Sequence, residues 1–176
     1  VSPWYEDFLA TGERWERRGK RMDEQIDILK GLMNGEYFSF KGEFYDIPEL
    51  KLCPAPTKPV PILIGGHSKL ALKRAARIGD GWISAGITLD ETKEFIDQIN
   101  IFRKEYGTLD HPNYQFQVMG EAAYSPDGIK NLEDLGATEV IVAFRNAYEG
   151  GKDERTLDGM IAEMNWYAEE VINKSR

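Results

Sequence analysis

The sequence predicts an α/β fold in which four strand–helix units build a parallel sheet behind an N-terminal helix and a small β-hairpin. Three observations carry this. Short, continuously apolar runs recur from residue 62 onward; capped helical stretches separate them; and two aromatic-rich runs flanking Lys41-Gly42 precede them. A length of 176 residues suffices for one globular domain and is short for two.

Each element has its own signal. From Glu16 to Asn34, apolar residues at Met22, Ile26, Leu29, Leu32 and Met33 fall on one helix face, and Gly35 fits the stop. Tyr37–Phe40 and Glu43–Ile47 form the two arms of a hairpin. Pro48, Pro54, Pro56, Pro59 and Pro61 are too dense for regular structure, yet Leu50, Leu52 and Cys53 give this connector apolar anchors. Ile62-Leu63-Ile64 reads as a strand buried on both faces of a parallel sheet. Ser68 stands at the N-cap position of a helix from Leu70 to Ile78, which Gly79 ends.

Gly81–Ser84 is a second strand, and Thr88-Leu-Asp-Glu91 a capping box that opens a helix with Phe95, Ile99, Phe102 and Tyr106 on its inner face. Tyr114 to Ala123 supplies the third strand. Ser125-Pro126 starts a short helix that Gly136 stops, and Val140–Ala143 is the fourth strand. A last helix from about Glu154 to Lys174 turns Leu157, Ile161, Met164, Ala168 and Val171 inward. Strand–helix alternation at this spacing means a parallel sheet. Four such strands can form an open sheet with two bare edges, or half of a closed eight-strand barrel. The pattern itself leaves both open.

Composition bounds the function. A net charge of −8 argues against a nucleic-acid partner, which needs a basic face. The basic run Arg14–Arg21 alternates with Glu13 and Glu16 and reads as a solvated helix face. No apolar run reaches the roughly 18 residues of a membrane helix, and the N-terminus has no signal-peptide pattern. A lone Cys53 makes no intrachain disulfide, which suits a reducing cytoplasm, and no spacing of ligands suggests a metal. The first residue is Val rather than Met, from which upstream residues are expected.

The densest chemical signal is Pro61-Ile-Leu-Ile-Gly65-Gly66-His67-Ser68-Lys69. A buried strand delivers two glycines and then a hydroxyl at a helix start. Glycines let an anion approach the backbone, and the first helical turn offers N–H groups at the positive end of the helix dipole. Lys69, Lys73 and Arg74 add positive charge nearby. A plain strand–helix turn with a serine cap is the competing reading; the turn is neither a P-loop nor GxGxxG.

The stretch from Ile64 through Gly65-Gly66-His67-Ser68, an Ala- and Arg-rich helix, and Gly79-Asp80-Gly81-Trp82 resembles the luciferase-like flavin and deazaflavin oxidoreductases. Arg18-Gly-x-Arg21-x-Asp23-Glu24 and Phe40-x-Gly42-x-Phe44-Tyr45 resemble the same family. The resemblance implies a (β/α)8 TIM barrel of which this chain is the C-terminal half, joined after the fourth strand. It implies a redox enzyme or monooxygenase acting on a small organic substrate, with FMN or the deazaflavin coenzyme F420 as cofactor. Gly65, Gly66, His67 and Ser68 would hold its phosphate, and Trp82 would border it or serve as a core aromatic. It implies too that a homo-oligomer or a missing N-terminal half-barrel completes the site. A non-catalytic flavin-binding relative and a phosphosugar-binding barrel are the competing classes.

Other residues carry weaker expectations. Asp80 is expected to fix its turn and His111 to lie in a polar loop. Glu121 and Arg145 stand where barrel residues can face a site; a salt bridge for Glu121, and for Arg145 a pairing with Glu149, are the structural alternatives. Trp4, Tyr5, Phe8 and Trp15 suit either a substrate mouth or simple packing. No catalytic residue is assigned.

Overall fold

Residues Tyr5–Thr11 form a helix, α1, that apolar spacing does not announce. The computed structural model describes residues 2–145 and 153–175, and the chain divides into two compact units, residues 1–61 and 62–176. In the first unit, α1 ends at Gly12, whose φ of 69° is left-handed and whose N–H returns to the carbonyls of Leu9 and Phe8. Tyr5 and Phe8 both present their edges to Trp15, with centroids 5.8 and 5.1 Å away, and the Arg18 guanidinium lies over the same indole at 3.5 Å. These aromatics pack on one another.

Helix α2 (Arg18–Met33) buries Ile26. Strands β1 (Phe38–Lys41) and β2 (Asp46–Leu50) pair antiparallel. The second arm begins three residues later than expected because Glu43, Phe44 and Tyr45 make the turn. Their N–H groups all donate to the Glu24 carboxylate, at 2.7, 2.9 and 3.1 Å. Burial opposes the charge on Glu24, but the three amides outweigh it and hold its pKa below the usual carboxylate value. The Asp-Glu and Gly-x-Phe-Tyr pieces are thus one structural device.

In the second unit, β3 (Leu63–Gly65), β4 (Gly81–Ile83), β5 (Gln115–Met119) and β6 (Glu139–Ile141) lie side by side in that order, all parallel. Helices α3 (Lys69–Ile78), α4 (Leu89–Tyr106), α5 (Pro126–Asp134) and α6 (Leu157–Tyr167) follow them in turn, and five residues of π-helix, Ala168–Ile172, extend the last. Ile64, Trp82, Val118, Leu72, Ile99 and Leu132 are almost wholly buried and make the core. Asp80 clasps the entry end of the sheet as expected: its carboxylate accepts from Ile62 N–H, its own N–H donates to Ile62, and its carbonyl accepts from Gln115 N–H.

The largest departures from expectation in this unit are one strand end and two inner faces. The third strand stops at Met119 rather than Ala123, and the next residue, Gly120, passes so close to the Ile87 carbonyl that a side chain would overlap it. Glu121–Tyr124 then turns as a 3-10 helix. Helix α4 buries Thr92, Ile96, Ile99, Phe102 and Arg103, while Tyr106 is exposed. Hydrophobicity misplaces this face because Arg103 is buried through hydrogen bonds to the carbonyls of Thr108 and Leu109 and to Asn100 Oδ1. In α6 and its π-helical extension, Leu157, Ile161 and Met164 are exposed, and Tyr167 and Val171 are the buried positions. The Tyr167 hydroxyl donates to the buried Ala123 carbonyl at 2.8 Å.

Candidate functional site

All four strands of the sheet run the same way, so Gly65, Ser84, Gly120 and the residues after β6 emerge at one end. At that end the turn after β3 is built from its glycines. Gly66 has φ 111°, where L side chains rarely go, and a Cβ on it would stand 3.1 Å from Ala71 Cβ. Ser68 then caps α3, its Oγ accepting from Ala71 N–H at 3.3 Å. That bond leaves the hydroxyl proton for a ligand, and the amides of Lys69 and Leu70 have no acceptor within the helix. Gly65, Gly66, Ser68, Lys69 and Leu70 are all exposed.

Charge separates this helix start from its neighbours. In their first turns α4 carries Asp90 and Glu91, α5 Asp127 and α6 Asp158; α3 has no acid there. Glu91 closes the α4 capping box with Thr88, and the hydrogen bonds from Thr88 lower its pKa against the opposing effect of burial. An acid there already places negative charge beside the positive end of the helix. Only α3, of the four, offers its positive end to an outside anion. Lys69 lies beside it, but Lys73 does not: its ammonium sits over the Phe102 ring, 5.1 Å from the centroid. That part of the expected charge is a correction, since α3 carries Lys73 toward α4.

Trp82 is fully buried and supports the turn from beneath, its indole N–H donating to the Gly66 carbonyl at 3.0 Å. His67 is half-buried, its ring stacked on Phe95 with centroids 5.1 Å apart, and its Nε2 accepts from Ala85 N–H at 3.2 Å. Neither Phe95 nor Ala85 carried a sequence signal for the turn: Phe95 counted as core, and a backbone amide has no residue code.

The remaining candidates scatter. His111 faces Asp80 at 3.4 Å, at the entry end of the sheet rather than at the turn. Glu121 is exposed on the 3-10 turn. Arg145 lies 4.0 Å from Asp153, which Arg155 also binds; Glu149, its expected alternative partner, lies outside the described residues. In residues 1–61, a groove of about 330 Å³ is lined by Asp7, Phe8, Glu13, Arg18, Arg21 and Met22 among others. Its arginines are already engaged, Arg21 with Glu13 and Arg18 with Trp15. Among the described residues no helix is long and apolar enough to cross a membrane.

Residues 3–151 match the luciferase-like monooxygenase family. An uncharacterized protein of Mycobacterium tuberculosis is 46% identical over 174 residues, covering 99% of this chain and 59% of the relative. The chain thus spans about three-fifths of the length of that relative. The FMNH(2)-dependent dimethylsulfone monooxygenase of Pseudomonas fluorescens is 34% identical over 103 residues, which are 56% of this chain and 28% of the enzyme. Among solved structures, the coenzyme F420-dependent tetrahydromethanopterin reductase from Methanopyrus kandleri superposes with a TM-score of 0.67 at 13% identity, over 90% of this chain and 64% of that one.

Proposed function

The chain belongs to the luciferase-like monooxygenase family, its four strand–helix units being half of a (β/α)8 barrel, and from that premise we propose that it serves a flavin-dependent oxidoreductase, a monooxygenase of a small organic substrate. The observation that carries this is the open, acid-free start of α3 behind Gly65 and Gly66. The residues fit an FMN phosphate: the turn is exposed, Gly66 takes a φ that L side chains rarely adopt, and Ser68 keeps a donor proton while capping its helix. When bound, the flavin supplies the redox chemistry. The chain's part is to hold: backbone amides of the turn bind the phosphate, Ser68 adds a hydroxyl, and Trp82 keeps Gly66 in place from below. Trp82 acts as a positioning residue rather than a wall of the site.

Use of coenzyme F420 for hydride transfer is the second reading, supported by a 32% identity over 97 residues with the F420-dependent hydroxymycolic acid dehydrogenase of Mycobacterium tuberculosis. The phosphate turn serves either. We further propose that all 176 residues belong to one barrel domain and work in a reducing cytoplasm, where the exposed Cys53 stays a thiol. The exposed Leu157, Ile161 and Met164 of α6 would meet either the other half of the barrel or a second copy.

Equilibrium titration with FMN and with F420, followed by fluorescence, tests the assignment. Micromolar binding of one of them that is lost in the double variant Ser68→Ala, Gly66→Val is the expected result. Binding unchanged in that variant would take the turn out of the site.

A further inference from the structure

Two adjacent glycines make the 65–68 turn flexible unless something pins it. Trp82 pins one side, through its hydrogen bond to the Gly66 carbonyl. The other side is held by the one residue of the turn with a large side chain, His67. Its ring lies flat on Phe95, 17° from parallel, and is 6.0 Å from the Trp82 indole. Its Nε2 receives the Ala85 N–H, so in the neutral ring the proton resides on Nδ1. Ala85 belongs to a loop that is itself fastened to β5. The Ser84 Oγ accepts from Met119 N–H at 2.8 Å, Ser84 N–H donates to Gln117 at 3.0 Å, and Ile87 N–H donates to Met119 at 3.0 Å.

We propose that His67 is a positioning residue: it ties the phosphate turn to the braced 84–87 loop through the Ala85 amide and so holds the turn in its anion-receiving shape. The side chain acts through backbone geometry and takes no part in the redox reaction. The inference rests on the proposed cofactor reading for its consequence, though the hydrogen bond can be read without any cofactor.

The test uses the 15N-labelled chain. His67→Phe keeps a ring against Phe95 and removes the acceptor; His67→Gln restores an acceptor near the Nε2 position. Wild-type imidazole nitrogen shifts should report an unprotonated Nε2. His67→Phe should shift the Ala85 and Gly66 amide resonances and weaken FMN binding about three- to tenfold, the range one net hydrogen bond supports, and His67→Gln should recover most of it. A proton on Nε2, or Ala85 and Gly66 amides unmoved in His67→Phe, would overturn the proposal. If the wild-type chain binds neither FMN nor F420, the cofactor reading fails while the amide shifts still decide this one.

Discussion

Gly65 and Gly66 are neighbours with opposite expected responses to the same substitution. In Gly66→Ala the backbone must keep φ near 111° with a Cβ in place, and that Cβ would sit 3.1 Å from Ala71 Cβ. Ala71 is 8% exposed and is part of α3, so it yields only if the helix moves. Backbone strain of this kind costs about 1–3 kcal/mol. For a domain of this size each kcal/mol lowers Tm by about 2–4 °C, so Gly66→Ala should lose about 2–12 °C. Gly65→Ala meets Ile83 Cγ2 at 3.5 Å, an ordinary contact, at an ordinary φ. Its Tm should stay within about 1 °C of the parent. Thermal and urea unfolding by circular dichroism, with unchanged m in urea, would measure both. Equal stability of Gly66→Ala and parent, or equal losses in the two variants, would refute the strain argument and with it the reason for a glycine at position 66.

Other perturbations have equally definite outcomes. Arg103→Ala should cost about 2–4 kcal/mol in urea, since it abandons the carbonyls of Thr108 and Leu109 and empties a buried site; a loss below about 1 kcal/mol would show that water replaces the guanidinium. Tyr167→Phe orphans the fully buried Ala123 carbonyl and should cost about 1–3 kcal/mol, read from the same urea midpoint. Two carboxylates predict acid sensitivity. Glu24 and Asp153 have folded pKa values below their unfolded ones, Glu24 through hairpin amides acting against burial and Asp153 through hydrogen bonds from Arg155. Their stabilisation is therefore complete above the unfolded carboxylate range, near about pH 4, and is lost as pH falls through the lower folded values. Glu24→Gln and Asp153→Asn should each flatten the acid limb of a Tm-against-pH curve, and curves parallel to the parent's would contradict the pairing.

How far the sequence alone determines this protein depends on where the interactions lie. Local ones are legible: Ser68, Thr88 and Ser125 cap the helices their spacing predicts, because a cap bonds within a few residues of itself. That the four strands run parallel follows from the same alternation, while their sequential order came from the tertiary structure. What tertiary structure decided are the choices that local pattern leaves degenerate. Helix α1 has no side-chain cap and was invisible; it gains its reason from Tyr5 and Phe8 closing on Trp15. The inner face of α4 includes an arginine, which no hydrophobic count admits, and the apolar stripe of α6 faces solvent. At the turn, the glycines and serine are readable one by one, but the fully buried indole under Gly66 and the Ala85 amide on His67 come from segments 16 to 18 residues away. A hydrogen bond to a distant backbone group leaves no mark on residue identity, and only the packed sheet brings its two ends together.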